Sequence, residues 1–382
     1  MKPARAAVLA ALALAGCERC AKQPDPTEPV ASVRRVPFEA APAALAPLPE
    51  WADAEGLEGV ALPAGCRVEL PVRHAPLATN ARFVAVRGRT DALALRNGGR
   101  ALFDLARKRA LDVPWEAPDE PPHLARTGER WLAALSRPGE ALLWQSDGSA
   151  LEVARGDRMR AVDLACSNER CALLTPLARK AESPGATVAI GDPRDASSWK
   201  KVDLEVDPAQ PWAPLSIVSF DGKQATVVLG SGDKTAVWRG QQKLGEVASP
   251  FGAWDVVETP APLVIAAGQA TEGGSCEDVF PLRLAPIGKP AIDVTVSVPP
   301  DSVIARPLSK GALVAWVAPV SCKIDRRVVV YALRVGEGGK PLSSPTGVAD
   351  ATGFALATQG DELSLWLRTE RGITWVRGRC GD

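Results

Sequence analysis

Residues 131–153 read WLAALSRPGEALLWQSDGSALEV. Three short apolar runs, Trp131–Leu135, Ala141–Trp144 and Ala150–Val153, are punctuated by Pro138-Gly139 and Asp147-Gly148. Each run has strand length and falls short of a helix that could bury a face. Gly after Asp or Pro supplies the positive φ of a tight hairpin turn, so the stretch predicts an antiparallel meander.

The same grammar extends in both directions. Upstream, Phe83–Val86, Ala92–Leu95 and Ala101–Phe103 are joined by Gly88-Arg89-Thr90-Asp91 and Asn97-Gly98-Gly99. Downstream, Ser216–Phe220, Ala225–Leu229 and Thr235–Trp238 are divided by Asp221-Gly222 and Gly230-Ser231-Gly232-Asp233. Val303–Ala305, Ala312–Val317 and Arg327–Val335 follow, then Phe354–Ala357, Leu363–Leu367 and Ile373–Val376. Sustained helical periodicity is scarce, and Ala101–Leu111 is the one ambiguous segment. The units recur every roughly 35 to 50 residues, the size of a four-stranded propeller blade. Six or seven fit, the first and fifth being least regular. A sandwich of this length would need two or three domains with linkers between them, and no linker-like change of composition follows residue 66. The expectation is an all-β, six- or seven-bladed β-propeller-like domain over residues 51–382.

A ring of blades must close. Cys66-Arg67-Val68-Glu69-Leu70 offers a first strand and Ile373–Arg379 a last one, with Cys380 opposite Cys66. A Cys66–Cys380 disulfide would lock the ring and add about 4 to 5 kcal/mol in the chain-entropy picture. Cys166 and Cys171 flank the turn Ser167-Asn168-Glu169-Arg170, and Cys276 and Cys322 occupy similar places in successive repeats. These make two further candidate pairs. Connectivity does not follow from sequence alone. Cys20 is left as the odd thiol. Metal binding has little support, because Cys-x-x-Cys occurs only at Cys17–Cys20 and the only histidines are His74 and His123.

The chain opens MKPARAAVLAALALAGCERC. Lys2 and Arg5 precede an apolar run from Ala6 to Gly16 that is too short to span a bilayer. Its end, Leu14-Ala15-Gly16-Cys17, resembles the lipobox of bacterial lipoprotein precursors. That resemblance implies a signal peptide at 1–16 removed before Cys17, and lipid on the Cys17 sulfur. Several acyl chains anchor stably where one does not. Residue 18 is Glu rather than the Asp associated with inner-membrane retention, which favours the outer membrane. Residues 17–50, rich in Pro and Ala, read as a flexible tether carrying the lipidated cysteine.

Once Lys2 and Arg5 are removed, 43 basic residues face 45 acidic ones, a formal charge of −2. No basic stripe of the kind nucleic acid demands is present. Arg368–Trp375 and, more loosely, Asp192–Trp199 resemble the Asp-box, a hairpin signature of sialidase-like propellers. The resemblance implies blade architecture and no activity. A sialidase site would also need a Tyr–Glu pair, and the single tyrosine, Tyr331, sits within an apolar strand.

The common catalytic and cofactor signatures are missing from the sequence. Ser197–Lys200 and Ser231–Lys234 match Ser-x-x-Lys without opening a helix, and His74 and His123 stand among prolines in expected loops. Asp203, Glu205 and Asp207 alternate along one face of an expected outer strand. No catalytic, metal or cofactor residue is assigned. The expected role is a membrane-anchored envelope lipoprotein that binds an envelope protein or a cell-wall polymer. The competing reading is a propeller hydrolase or lyase acting on glycans, with carboxylates gathered from several blades into a central channel.

Overall fold

A computed structural model of the chain describes residues 32–38, 49–53, 60–77, 81–96, 99–114, 122–156, 159–176, 185–205, 215–231, 234–249, 253–268, 281–296, 300, 302–320 and 327–381. It divides after Ser32, and the unit beginning at Val33 contains every strand described. The only helical segments among the described residues are two short 3-10 turns, Ala196–Ser198 and Glu337–Gly339.

The unit is a seven-bladed β-propeller. Blade 1 comprises Arg82–Ala85, Ala92–Arg96, Arg100–Asp104 and Arg109–Leu111. Blade 2 comprises His123–Thr127, Arg130–Arg137, Glu140–Gln145 and Ala150–Arg155. Blade 3 is built from Asp163–Ser167, Arg170–Pro176, Gly185–Gly191 and Lys200–Glu205, and blade 4 from Leu215–Phe220, Ala225–Ser231, Lys234–Arg239 and Gln242–Ala248. Ala253–Val257, Leu263–Ala267, Leu282–Pro286 and Ile292–Val294 form blade 5. Ser302–Pro307, Ala312–Pro319, Val328–Val335 and Thr346–Asp350 form blade 6. Blade 7 takes Gly353–Gln359, Glu362–Thr369 and Gly372–Cys380 from the end of the chain, and its fourth strand, Cys66–Ala75, and a short outer fifth, Ala52–Asp53, from near the start. The first strands of neighbouring blades lie beside one another around the axis.

Burial explains why the middle strands lack a clean alternation. Leu263–Ala267 and Ala92–Leu95 are buried on both faces, because each blade is covered by a neighbour on either side. The outermost strand Gln242–Ala248 is exposed or half-buried along its whole length. Seven apolar clusters hold the ring, each shared by two adjacent blades. Trp131 and Trp144 fill the junction of blades 1 and 2, Trp316 that of blades 5 and 6, and Trp366 and Trp375 that of blades 7 and 1. These tryptophans, all within strands, seal blade junctions. Trp115 and Trp212 lie outside the described residues.

The ring closes where the ends of the body were expected to meet. Cys66 stands opposite Cys380 in antiparallel register and is disulfide-bonded to it. The register shifts between Glu69 and Arg73, around Pro71, which has no N–H for the ladder. Cys166 and Cys171 are also register partners and are bonded across their hairpin. The turn places Asn168 at φ 56°, a left-handed conformation that Asn tolerates.

Two sequence readings need correction, and one ambiguous stretch is resolved in favour of strand. Arg34–Val36, inside the segment 17–50 read as tether, is a strand paired with Glu152, Leu151 and Ala150 at the outer edge of blade 2. Ala101–Leu111 contains no helix: it breaks into two strands around a turn in which Lys108 has φ 50°. His74 and His123 lie in strands, not loops, and His123 opens the innermost strand of blade 2.

Candidate functional site

The innermost strands converge on a central channel. Toward their C-terminal ends it widens into a cavity of about 360 Å³, to which all seven blades contribute. Its charged walls are Arg87, Arg89, Arg126, Arg306 and Asp255. An open recess of about 390 Å³, lined by Arg89, Ala106, Arg107, Arg126 and Gly128, adjoins it along the side chains of Arg89 and Arg126.

Two carboxylates organise the channel, and they are wired alike. Asp163, first residue of the inner strand of blade 3, accepts from its neighbour Leu164 N–H (2.7 Å) at Oδ1. Its Oδ2 accepts from the Ile217 N–H of blade 4 (2.8 Å) and from Arg87 Nη2 (2.9 Å). Asp255 on blade 5 repeats this: Oδ1 accepts from Val256 N–H (2.8 Å), and Oδ2 from the Ala305 N–H of blade 6 (2.8 Å) and Arg306 Nη1 (3.1 Å). Each carboxylate thereby ties one inner strand to the next. A buried carboxylate that accepts several N–H bonds is stabilised in its charged form.

Asp163 has one partner more. His123 Nδ1 approaches its Oδ1 at 3.2 Å. Burial alone would raise the Asp163 carboxyl, but the Arg87 guanidinium, His123 and the Ile217 amide together hold it well below the usual carboxylate range. Four donors occupy a group with about four acceptor positions, so this carboxylate has little capacity to exchange a proton. Glu258, at the end of the inner strand of blade 5, differs. Burial raises its carboxyl against the pull of Arg239, whose Nη2 donates to it at 2.6 Å, and Glu258 is not part of the channel wall.

The other residues singled out in the sequence do not gather at the channel. Tyr331 stacks on Trp316 across the strands of blade 6, with centroids 5.8 Å apart. Asp203 lies on the outermost strand of blade 3 and accepts from Thr187 Oγ1 (2.8 Å); Asp207 is outside the described residues. Ser197 is spent on capping, its Oγ donating to Asp195 Oδ1 (2.7 Å), and Ser231 and Lys234 are register partners in a hairpin. Among the described residues no three His, Cys, Asp or Glu side chains form a metal-binding group. Cys17, Cys20, Cys276 and Cys322 lie outside the described residues.

The two Asp-box-like segments occupy different hairpins. Asp192–Trp199 joins the third and fourth strands of blade 3, where Trp199 Nε1 donates to the Asp192 carbonyl (3.0 Å). The Trp199 ring also lies against Gly191, in space that any Cβ there would occupy. Arg368–Trp375 spans the turn between the second and third strands of blade 7, and Trp375 Nε1 donates to Ser364 Oγ (3.0 Å). Both tryptophans pack structurally, at positions that are not equivalent between blades. The arginines of the channel carried no signal in the sequence, because they come from three blades far apart in the chain.

No family model and no curated protein matches the chain. Among solved structures it is similar to the β-propeller domain of Cps50 (Swd1) from Myceliophteria thermophila, with 11% identity, 80% of this chain and 97% of that chain covered, and a TM-score of 0.45. Similarity extends to Hsv2 from Kluyvelomyces marxianus, with 12% identity, coverage of 73% and 88%, and a TM-score of 0.41. A sialidase from Trypanosoma rangeli is also similar, with 10% identity, 80% of this chain and 59% of that chain covered, and a TM-score of 0.36. At such identities the likeness concerns architecture alone.

Proposed function

We propose that the protein is an exported, lipid-anchored propeller of the cell envelope that binds a partner and does not catalyse. The observation that carries the binding half is the state of the channel carboxylates. Asp163 is saturated by four donors and Asp255 by three, one of them the arginine of the adjoining blade. Glycan hydrolysis by paired carboxyl groups needs one that holds a proton near neutrality. Asp163 is driven the other way. The anchoring half rests on Lys2 and Arg5, the apolar run and Leu14-Ala15-Gly16-Cys17. With lipid on Cys17, the partner is an envelope protein or a cell-wall polymer, and the outer membrane is the favoured site.

Three experiments test this reading. Metabolic labelling with a clickable fatty acid is expected to mark the wild type and spare Cys17→Ala; label on the variant overturns the anchor. Crosslinking and recovery of the tagged protein from its own envelope is expected to yield a partner that the Cys17→Ala protein loses. Release of reducing sugars from envelope glycans by the purified protein would overturn the non-catalytic reading.

A further inference from the structure

The charge at the channel mouth is unevenly distributed. Four guanidinium groups, from Arg87, Arg89, Arg126 and Arg306, line the cavity against one carboxylate, Asp255. The adjoining recess adds Arg107 and has no carboxylate in its wall. The counter-charges sit behind or outside. Asp163 and Asp104 are 4% and 1% exposed, whereas Glu129, which bridges Arg107 (2.9 Å) and Arg126 (3.3 Å), is 75% exposed. Ligand-sized space here is therefore bordered mainly by cations.

The guanidinium groups also keep donors in reserve. Arg306 spends Nη1 on Asp255 and the Ala305 carbonyl, and its Nε and Nη2 meet no acceptor among the described residues. Arg89 holds Asp91 through Nε and Nη2, leaving Nη1, and Arg107 holds Asp104 and Glu129 through Nη1 and Nη2, leaving Nε. The Arg89, Arg107 and Arg306 side chains are each partly exposed, at 28%, 39% and 29%. Arg126 is only 9% exposed and lies over the Trp131 ring at 5.2 Å. Burial and then the charges of Arg107 and Arg89 lower its affinity for its proton, a mark of like charges crowded together. Planar guanidinium forks fit carboxylate and phosphate oxygens two at a time.

We propose that the channel mouth binds a small ligand bearing carboxylate or phosphate groups, held by Arg306 within the cavity and by Arg89, Arg107 and Arg126 at its opening. A volume of about 360 Å³ lies within the usual range for small-molecule sites. The inference rests on the binding reading of the propeller and is independent of the lipid anchor.

The test is calorimetric titration of the purified full chain with sodium citrate and, separately, sodium pyrophosphate at fixed ionic strength. Saturable binding of at least one probe, with a Kd below about 1 mM, is expected. Arg306→Gln and Arg89→Gln should each weaken it about tenfold or more, a loss typical of one charge-assisted contact. Arg306 braces Asp255 and its variant could fail to fold, whereas Arg89 pairs only with the nearby Asp91, so Arg89→Gln keeps the test decisive. Arg283→Gln, which breaks an ion pair on the outer part of blade 5, should leave binding unchanged. Citrate alone would assign a carboxylate ligand, and pyrophosphate alone a phosphate ligand. Failure of both to saturate, or equal affinity in Arg89→Gln and wild type, overturns the site while leaving the scaffold reading intact. Consumption of a bound probe, followed by NMR, would keep the site and overturn the non-catalytic reading.

Discussion

Blade 7 and blade 2 each gain an outer strand from the N-terminal part of the chain, and the two additions differ in kind. In blade 7 Cys66–Ala75 is the fourth strand of the sheet, ten residues long and fastened covalently by Cys66–Cys380, with the two-residue Ala52–Asp53 outside it. In blade 2 the added strand is the fifth, three residues long, on a sheet that already has four of its own. Blade 7 would be short of a strand and the ring open without Cys66–Ala75. Loss of the segment holding Arg34–Val36 would cost blade 2 the packing of Val33, Val36 and Phe38, the Arg137–Phe38 stacking (4.4 Å), the Arg35 bond to the Arg194 carbonyl (2.5 Å) and the double contact of Arg34 with Glu152 (3.2 and 3.0 Å). One addition completes the fold and the other decorates an edge, covering ladder groups that would otherwise face solvent.

The comparison is broken most severely by truncation. A chain starting after Ala75 is expected to lose cooperative unfolding altogether, whereas one starting after Phe38 keeps it; circular dichroism melts of the two decide the matter, and a cooperative melt from the shorter chain refutes the division of roles. Next in size is the staple. Cys380→Ala is expected to lower stability by about 5 kcal/mol on loop-closure grounds, against about 2 kcal/mol for Cys171→Ala, whose loop is far shorter. Urea midpoints of the two variants should rank in that order, and a reversal would place the closure energy elsewhere.

The inner rim sharpens the picture. Asp163→Asn strands the Arg87 guanidinium and is expected to cost roughly 3 kcal/mol, the scale of breaking a buried ion pair. This carboxyl has a folded pKa below its unfolded one, so its contribution is present above about pH 4 and is lost as pH falls toward the folded value. Melting temperature should hold between pH 7 and 5 and drop below pH 4 in the wild type, with a shallower acid drop in Asp163→Asn. An unchanged acid profile would show that Asp163 does not control it. The smallest effect belongs to Arg34→Ala, about 0.5 to 1 kcal/mol, because Arg155 still donates to Glu152 at 2.6 and 3.1 Å.

Much of this architecture was legible in residues 131–153 and their repeats, because Gly-containing turns and short apolar runs are local signals. The closure was legible too: Cys66 and Cys380 sit at the ends of the body, and a ring leaves terminal strands one place to pair. His123 and Asp163 were not, since each opens an inner strand of only five residues, that of His123 directly behind Pro121-Pro122, and so short a run gives no periodic signal. Arg34–Val36 escaped for a similar reason, being a strand too short to stand out from its Pro- and Ala-rich surroundings. The channel arginines are the extreme case: Arg87, Arg126 and Arg306 become neighbours through the ring alone.

The strand Arg34–Val36 has a mechanical consequence. A pull on the N-terminus meets this three-residue ladder before any load reaches the staple at Cys66. Beyond it, the next strand in chain order is Ala52–Asp53, paired with His74 and Arg73 on blade 7. The ladder thus acts as a fuse: three residues at the edge of blade 2 give way before the strand that completes blade 7 is loaded.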